Sequence, residues 1–180
     1  MKKQITESIK TLKEGGVILY PTDTIWGLGC DASNYDAIKK IYDIKKRHES
    51  KLFITLVSSQ EMLKRYTSFI TTMDITSKPT TVIYPQVYGI DKSLLSENNS
   101  AGIRIVQDKF CEQLISRFGQ AIVSTSANIS GNQHPERFSD ICDTILQKSD
   151  YIVNLRQNEE MRTPSSIIKV DNSGKSIRIR

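Results

Sequence analysis

The chain has 180 residues, is 38% hydrophobic and 25% charged, and carries a formal net charge of +5 with a pI near 9.1. That composition excludes a disordered or collagen-like chain, and the length is enough for a buried core without disulfide staples. It contains no run of 18 apolar residues, the lysines of the N-terminus precede no apolar stretch of signal-peptide type, and Cys30, Cys111 and Cys142 are widely spaced; one domain over residues 1–180, without membrane association and in a reducing cytoplasm, is expected.

Ile5, Ile9 and Leu12 recur at helical spacing, and Gly15-Gly16 stops that helix. The apolar run 17–20 predicts a buried strand ending at Pro21. In residues 33–46 Ser33 is the expected cap, with Ile38, Ile41 and Tyr42 on one face. Strands are expected at 52–57, 80–85, 101–106, 120–125 and 151–155. Short helices are expected at 59–66, 108–119 and 138–148, the second capped by Asp108 and closed by Gly119. Residues 165–180 read as a terminal hairpin around Asp171-Asn172-Ser173-Gly174. Alternating helices and strands predict a layered α/β domain with a mixed sheet, and the hairpin excludes an all-parallel sheet.

Four polar segments follow apolar ones, where α/β folds gather ligands. Thr22-Asp23-Thr24 can cap a turn or line a site with hydroxyls. Lys45, Lys46, Arg47 and Lys51 complement a helix C-terminus, and they equally suit a triphosphate. The loop 124–131, Ser-Thr-Ser-Ala-Asn-Ile-Ser-Gly, allows close backbone approach and offers hydroxyls and an amide. Residues 163–170 place further hydroxyls beside a strand, and Arg178 and Arg180 end the chain. No phosphate-loop motif, serine-nucleophile elbow, CxxC or HxxxH spacing is present. The cysteines read as core fillers and the aromatics do not form a base-stacking platform.

Taken in order, these segments resemble one family. Residues 21–29, PTDTIWGLG, are similar to its P-T-D/E-T-x-Y/F-G-L/V-G signature; KKR at 45–47 to its K-x-R motif; AGIR at 101–104 to its A-V/I-R strand; STSANISG to its S/T-x-S-A-N-x-S-G loop; and PSSII at 164–168 to its P-S-T-I/V-I/V segment. The family is the YrdC/TsaC-like L-threonylcarbamoyladenylate synthases, in their short form. The resemblance implies a twisted open mixed sheet with flanking helices, a deep basic groove, and the condensation of L-threonine, hydrogencarbonate and ATP to threonylcarbamoyl-AMP and pyrophosphate. Partner proteins, tRNA-modifying transferases, then transfer the threonylcarbamoyl group to tRNA beside the anticodon.

Carried over by position, Thr24, Arg104, Ser124 and Ser165 would bind threonine. Lys45, Arg47, Lys51, Ser100, Ser126, Asn128 and Arg180 would bind ATP, with Lys45 and Arg47 as catalytic cations. Mg²⁺ is implied on the phosphates, with no dedicated carboxylate cage for it in the sequence, and weak tRNA binding accords with the positive charge. A non-catalytic RNA-binding module of the same fold is the alternative. The chain departs from the family pattern at His48 in place of proline, at Ser77-Lys78-Pro79 in place of W-P-G, and at Leu56, where longer members carry a substrate-contacting histidine.

Overall fold

The computed structural model describes residues 1–179. In chain order the elements are α1 (Lys2–Lys13), β1 (Ile18–Tyr20), β2 (Gly27–Gly29), α2 (Tyr35–Lys45), β3 (Ile54–Val57), α3 (Gln60–Leu63), β4 (Thr80–Tyr84), β5 (Ala101–Ile105), α4 (Lys109–Phe118), β6 (Ile122–Ser126), α5 (Asp143–Lys148), β7 (Tyr151–Ile152), β8 (Ser166–Val170) and β9 (Ser176–Arg178). Single 3-10 turns lie at Lys92–Leu94 and Phe138–Asp140. No helix among the described residues is long and apolar enough to cross a membrane.

The strands form one mixed sheet in the order β7-β1-β2-β6-β3-β5-β4-β8-β9. The pairs β1–β7, β3–β5 and β4–β8 are parallel and the rest antiparallel. Register decides which side chains share a face. Ser124 faces Ile54, Leu56 and Thr81 flank Arg104 on either side, and Thr81 faces Ile167. Directly opposed residues project the same way, and residues two apart in a strand do too. One face of the sheet centre therefore presents Ser124, Ser126, Ile54, Arg104, Thr81 and Ile167. The alternate residues Val123, Thr55, Ile103, Val82 and Ile168 are buried on the other face, and α3 and α4 pack against β3.

Helix ends follow local chemistry. Asp108 accepts from Cys111 N at 2.9 Å to cap α4, and Gly119 closes it in a left-handed conformation. Ser33 does not cap α2. Its hydroxyl donates to Asp31 Oδ1 at 2.8 Å, and Asn34 takes the position, accepting from Ala37 N at 3.1 Å. The helix expected over 138–148 is broken. Asp140 folds back to accept from Arg137 N at 2.9 Å, ending a single 3-10 turn, and extended residues at Ile141 and Cys142 precede α5. Only Tyr151–Ile152 of the expected strand 151–155 is strand. Cys30 and Cys111 are core residues as expected, whereas Cys142 is exposed.

The segment 27–29, for which the sequence predicts no element, is strand β2, pairing with β1 on one side and β6 on the other. Its glycines are what admit it. A Cβ on Gly29 would lie 2.7 Å from both the Val123 carbonyl oxygen and the Tyr20 ring. Trp26, just before, is fully buried, its ring centroid 5.1 Å from that of Phe138.

Candidate functional site

The polar face of the sheet floors a cavity of about 360 Å³. Its walls are the β1–β2 loop (Thr22, Thr24, Ile25), Arg47 and residues 52–54, the start of the 126–134 loop, and Pro164-Ser165 ahead of β8. No aspartate or glutamate lines it among the described residues.

Arg104 projects from β5 and is 3% exposed. Its Nη2 lies 3.0 Å from Asp23 Oδ1, an ion pair not aligned as a hydrogen bond, and its Nη1 donates to Thr24 Oγ1 at 3.1 Å. The Nε is buried and has no partner among the described residues. Asp23 Oδ2 also accepts from Gln107 N at 3.1 Å, so the carboxylate ties the β1–β2 loop to the end of β5. Thr22 Oγ1 lies 2.9 Å from Thr24 Oγ1 and donates to Ile25 O at 2.8 Å. With the Thr22 proton so placed, the Thr24 hydroxyl donates to Thr22 and accepts from Arg104. Its remaining capacity is that of an acceptor. Arg156 Nη1 braces the same loop from behind, donating to Thr22 O at 3.1 Å and to Asp108 Oδ2 at 2.8 Å. Across the cavity Thr81 Oγ1 and Ser165 Oγ are hydrogen-bonded at 2.8 Å, both buried.

The second wall begins where α2 ends. Lys46 takes a left-handed conformation there, turning the chain so that Arg47 reaches the cavity. Arg47 Nε donates to Lys51 O at 2.8 Å and Nη2 to Leu52 O at 3.1 Å, and the guanidinium carbon lies 5.2 Å from the Phe53 ring centroid. Lys45 goes the other way. It is 1% exposed and absent from the cavity wall. Its Nζ donates to Ser126 O, to Asn128 O at 2.6 Å and to Asn128 Oδ1 at 3.4 Å. Burial, and secondarily the nearby Arg47 charge, bring its pKa down to about 7. The loop is stitched further by Ser126 Oγ to Asn128 Oδ1, by Asn128 Nδ2 to Asn132 O at 2.6 Å, and by Ser130 N to Lys45 O at 2.8 Å.

Of the residues singled out from sequence, Thr24, Arg47, Arg104, Ser124, Ser126, Asn128 and Ser165 line this one cavity. Lys45, Lys51 and Ser100 do not. Lys51 is exposed, and Ser100 Oγ is bonded to Ser96 Oγ at 2.8 Å. Arg180 lies outside the described residues. Sequence reading singled out Asp23 without a role and missed Thr81 and His134. Thr81 could have been found from alternation along β4, which puts it on the face of Arg104. His134 sits in the loop beyond Asn128, lines the cavity, and has Nε2 3.4 Å from Arg162 O. No cluster of three or more His, Cys, Asp or Glu able to hold a metal occurs among the described residues.

Residues 10–180 match the Sua5/YciO/YrdC family model, described as "Telomere recombination". The chain is 31% identical over 177 residues to a threonylcarbamoyl-AMP synthase of Acinetobacter baumannii, covering 91% of this chain and 92% of the relative. It is 36% identical over 135 residues to a threonylcarbamoyl-AMP synthase of Buchnera aphidicola, covering 71% and 73%. Its fold matches that of Pyrococcus abyssi Sua5 solved with L-threonine, with a TM-score of 0.83 at 22% identity. That match covers 98% of this chain and 53% of the Sua5 chain, so the chain spans about half the length of that protein.

Proposed function

The chain belongs to the Sua5/YciO/YrdC family, and from that premise we propose that it condenses L-threonine, hydrogencarbonate and ATP to threonylcarbamoyl-AMP, pyrophosphate and water. The observation that carries the reading is the union of two unlike recognition elements in one cavity. On the sheet floor, a buried arginine stands beside a ring of hydroxyls; at the rim, Arg47 stands beside the small-residue loop of Ser126 and Asn128.

The first element suits an amino acid. Arg104 offers a planar donor fork to a carboxylate, with its Nε not yet engaged. Thr24, limited to accepting, suits the amino group or the N–H of the carbamate. Ser124, Ser165 and Thr81 complete the wall around the substrate. The second element suits phosphates: Arg47, with Ser126 and Asn128, neutralises and orients the triphosphate, and Lys51, Ser100 and Arg180 are assigned to ATP by family resemblance. Mg²⁺ would enter with ATP, held by phosphate oxygens and water, since the described residues provide no carboxylate cage.

The threonine amine adds to hydrogencarbonate with loss of water, or to carbon dioxide with loss of a proton, giving a carbamate in either case. A carbamate oxygen then attacks the α-phosphorus in line with the leaving pyrophosphate. The protein's contribution is to hold two anions together and to stabilise developing charge. Positioning of this kind supplies about 7–11 kcal/mol of a barrier in well-oriented cases, and the reaction as written asks for no covalent enzyme intermediate. The adenylate is the substrate of a tRNA-modifying transferase.

The test is pyrophosphate release by the purified protein. It is expected only when threonine, hydrogencarbonate and ATP are all present, and release independent of threonine or hydrogencarbonate overturns the reading. Salt-sensitive RNA binding with no adenylate would favour an RNA-binding module instead. Arg104→Ala is expected to raise the KM for threonine more than that for ATP, and Arg47→Ala the reverse.

A further inference from the structure

Lys45 is 1% exposed and does not line the cavity, its ammonium being bonded instead within the loop that follows β6. A buried ammonium normally has a carboxylate partner or loses its proton. Among the described residues Lys45 has no ion pair; its three donors meet three acceptors, the carbonyls of Ser126 and Asn128 and the side-chain oxygen of Asn128. The Lys45 carbonyl takes a fourth bond from the same loop, accepting from Ser130 N at 2.8 Å. One residue at the end of a helix thus gathers the loop 126–130 from beneath. The opposite surface of that loop presents Ser126 and Asn128 to the cavity. The carbonyls are held inward by the ammonium. With them bonded to the ammonium, the Ser126 and Asn128 carbonyl oxygens, whose lone pairs would repel phosphate, are not presented to the cavity.

We infer that Lys45 is a positioning residue: its ammonium fixes the loop 126–130 in its anion-binding shape and does not itself touch substrate. The structural half of this stands without any assumption about the reaction, and its kinetic half rests on the synthase reading above. The pair Lys45 and Arg47 then divides the work. The left-handed turn at Lys46 sends one cation under the loop and the other to the cavity.

Two experiments separate this from a direct phosphate contact. In the unmodified protein, lysine acetylation followed by mass spectrometry is expected to label Lys45 at least tenfold more slowly than Lys46 or Lys51, with or without ATP. Rapid labelling of Lys45 that ATP suppresses would overturn the inference. In Lys45→Met, hydrogen exchange of amides 126–132 is expected to rise at least tenfold with no ligand present, while α2 amides stay within twofold. Lys45→Gln, which keeps two donors, is expected to restore part of the protection. Unchanged ligand-free exchange in Lys45→Met would overturn the inference. In the pyrophosphate assay the KM for ATP is expected to rise at least tenfold in Lys45→Met, with the threonine KM within threefold. Equal rises in both would count against it. The labelling and exchange outcomes need no turnover, so they stand even for a protein that releases no pyrophosphate.

Discussion

Asp23 and Arg104 form an ion pair with side-chain exposures of 7% and 3%, and each meets the cavity wall through the β1–β2 loop or β5. Removing one partner of such a pair leaves the other charge desolvated, at a cost of roughly 3–5 kcal/mol, whereas the intact pair contributes little net stability. Asp23→Ala is therefore expected to lower unfolding free energy by about that amount in urea titrations, and Asp23→Asn, which keeps an acceptor for Gln107 N, by less. Lys45 gives a pH signature of the opposite kind. Its folded pKa, about 7, lies below the ordinary lysine value of about 10.4. Between those values the unfolded chain binds the extra proton, so this residue makes stability rise as pH increases from about 7 toward 10, and its contribution is least favourable below 7. Melting temperatures across that range should show the parent gaining on Lys45→Met as pH rises. A flat difference would mean that the ammonium is held charged by its three carbonyl partners.

Strand β2 shows how an element can be hidden from sequence reading. Alternation of apolar and polar residues is the signal for a strand, and Gly27-Leu28-Gly29 has two positions without a side chain. The strand exists because its neighbours on β1 and β6 come close enough to need glycine. Gly29→Ala, which drives a methyl group against the Val123 carbonyl and the Tyr20 ring, is expected to cost about 1–3 kcal/mol in chemical denaturation. The end of α2 offers a paired check. Asn34→Ala should cost about 1 kcal/mol as loss of a cap, and Ser33→Ala far less. The apolar runs of β1, β3, β4, β5 and β6 were legible because each is buried on both faces or nearly so. The candidate site was legible in part. Hydroxyls and arginines could be located by their order along the chain, but not their orientation. A lysine among four cations at a helix end looks solvated until the following residue is seen to turn left-handed. Asp23 had no visible role because its partner comes from a strand far along the chain.

At the scale of the molecule, the cavity floor is drawn from strands that are neighbours only in the finished sheet. In the order β7-β1-β2-β6-β3-β5-β4-β8-β9, Ser124, Arg104, Thr81 and Ser165 come from β6, β5, β4 and the lead-in to β8. Most of these pairings close long loops, which makes for slow folding, in the range of milliseconds to seconds or longer. Refolding from urea is expected to restore threonine binding in the same phase as secondary structure, and an earlier recovery of binding would show that part of the sheet assembles independently. Trp26 gives that experiment its observable. It is the chain's single tryptophan, fully enclosed two residues from Thr24, with its indole against Phe138 at the far end of the loop that follows Asn128. The protein therefore carries an intrinsic fluorophore in its core, two residues from a hydroxyl that lines the cavity, and its emission reports the packing behind that wall without any label.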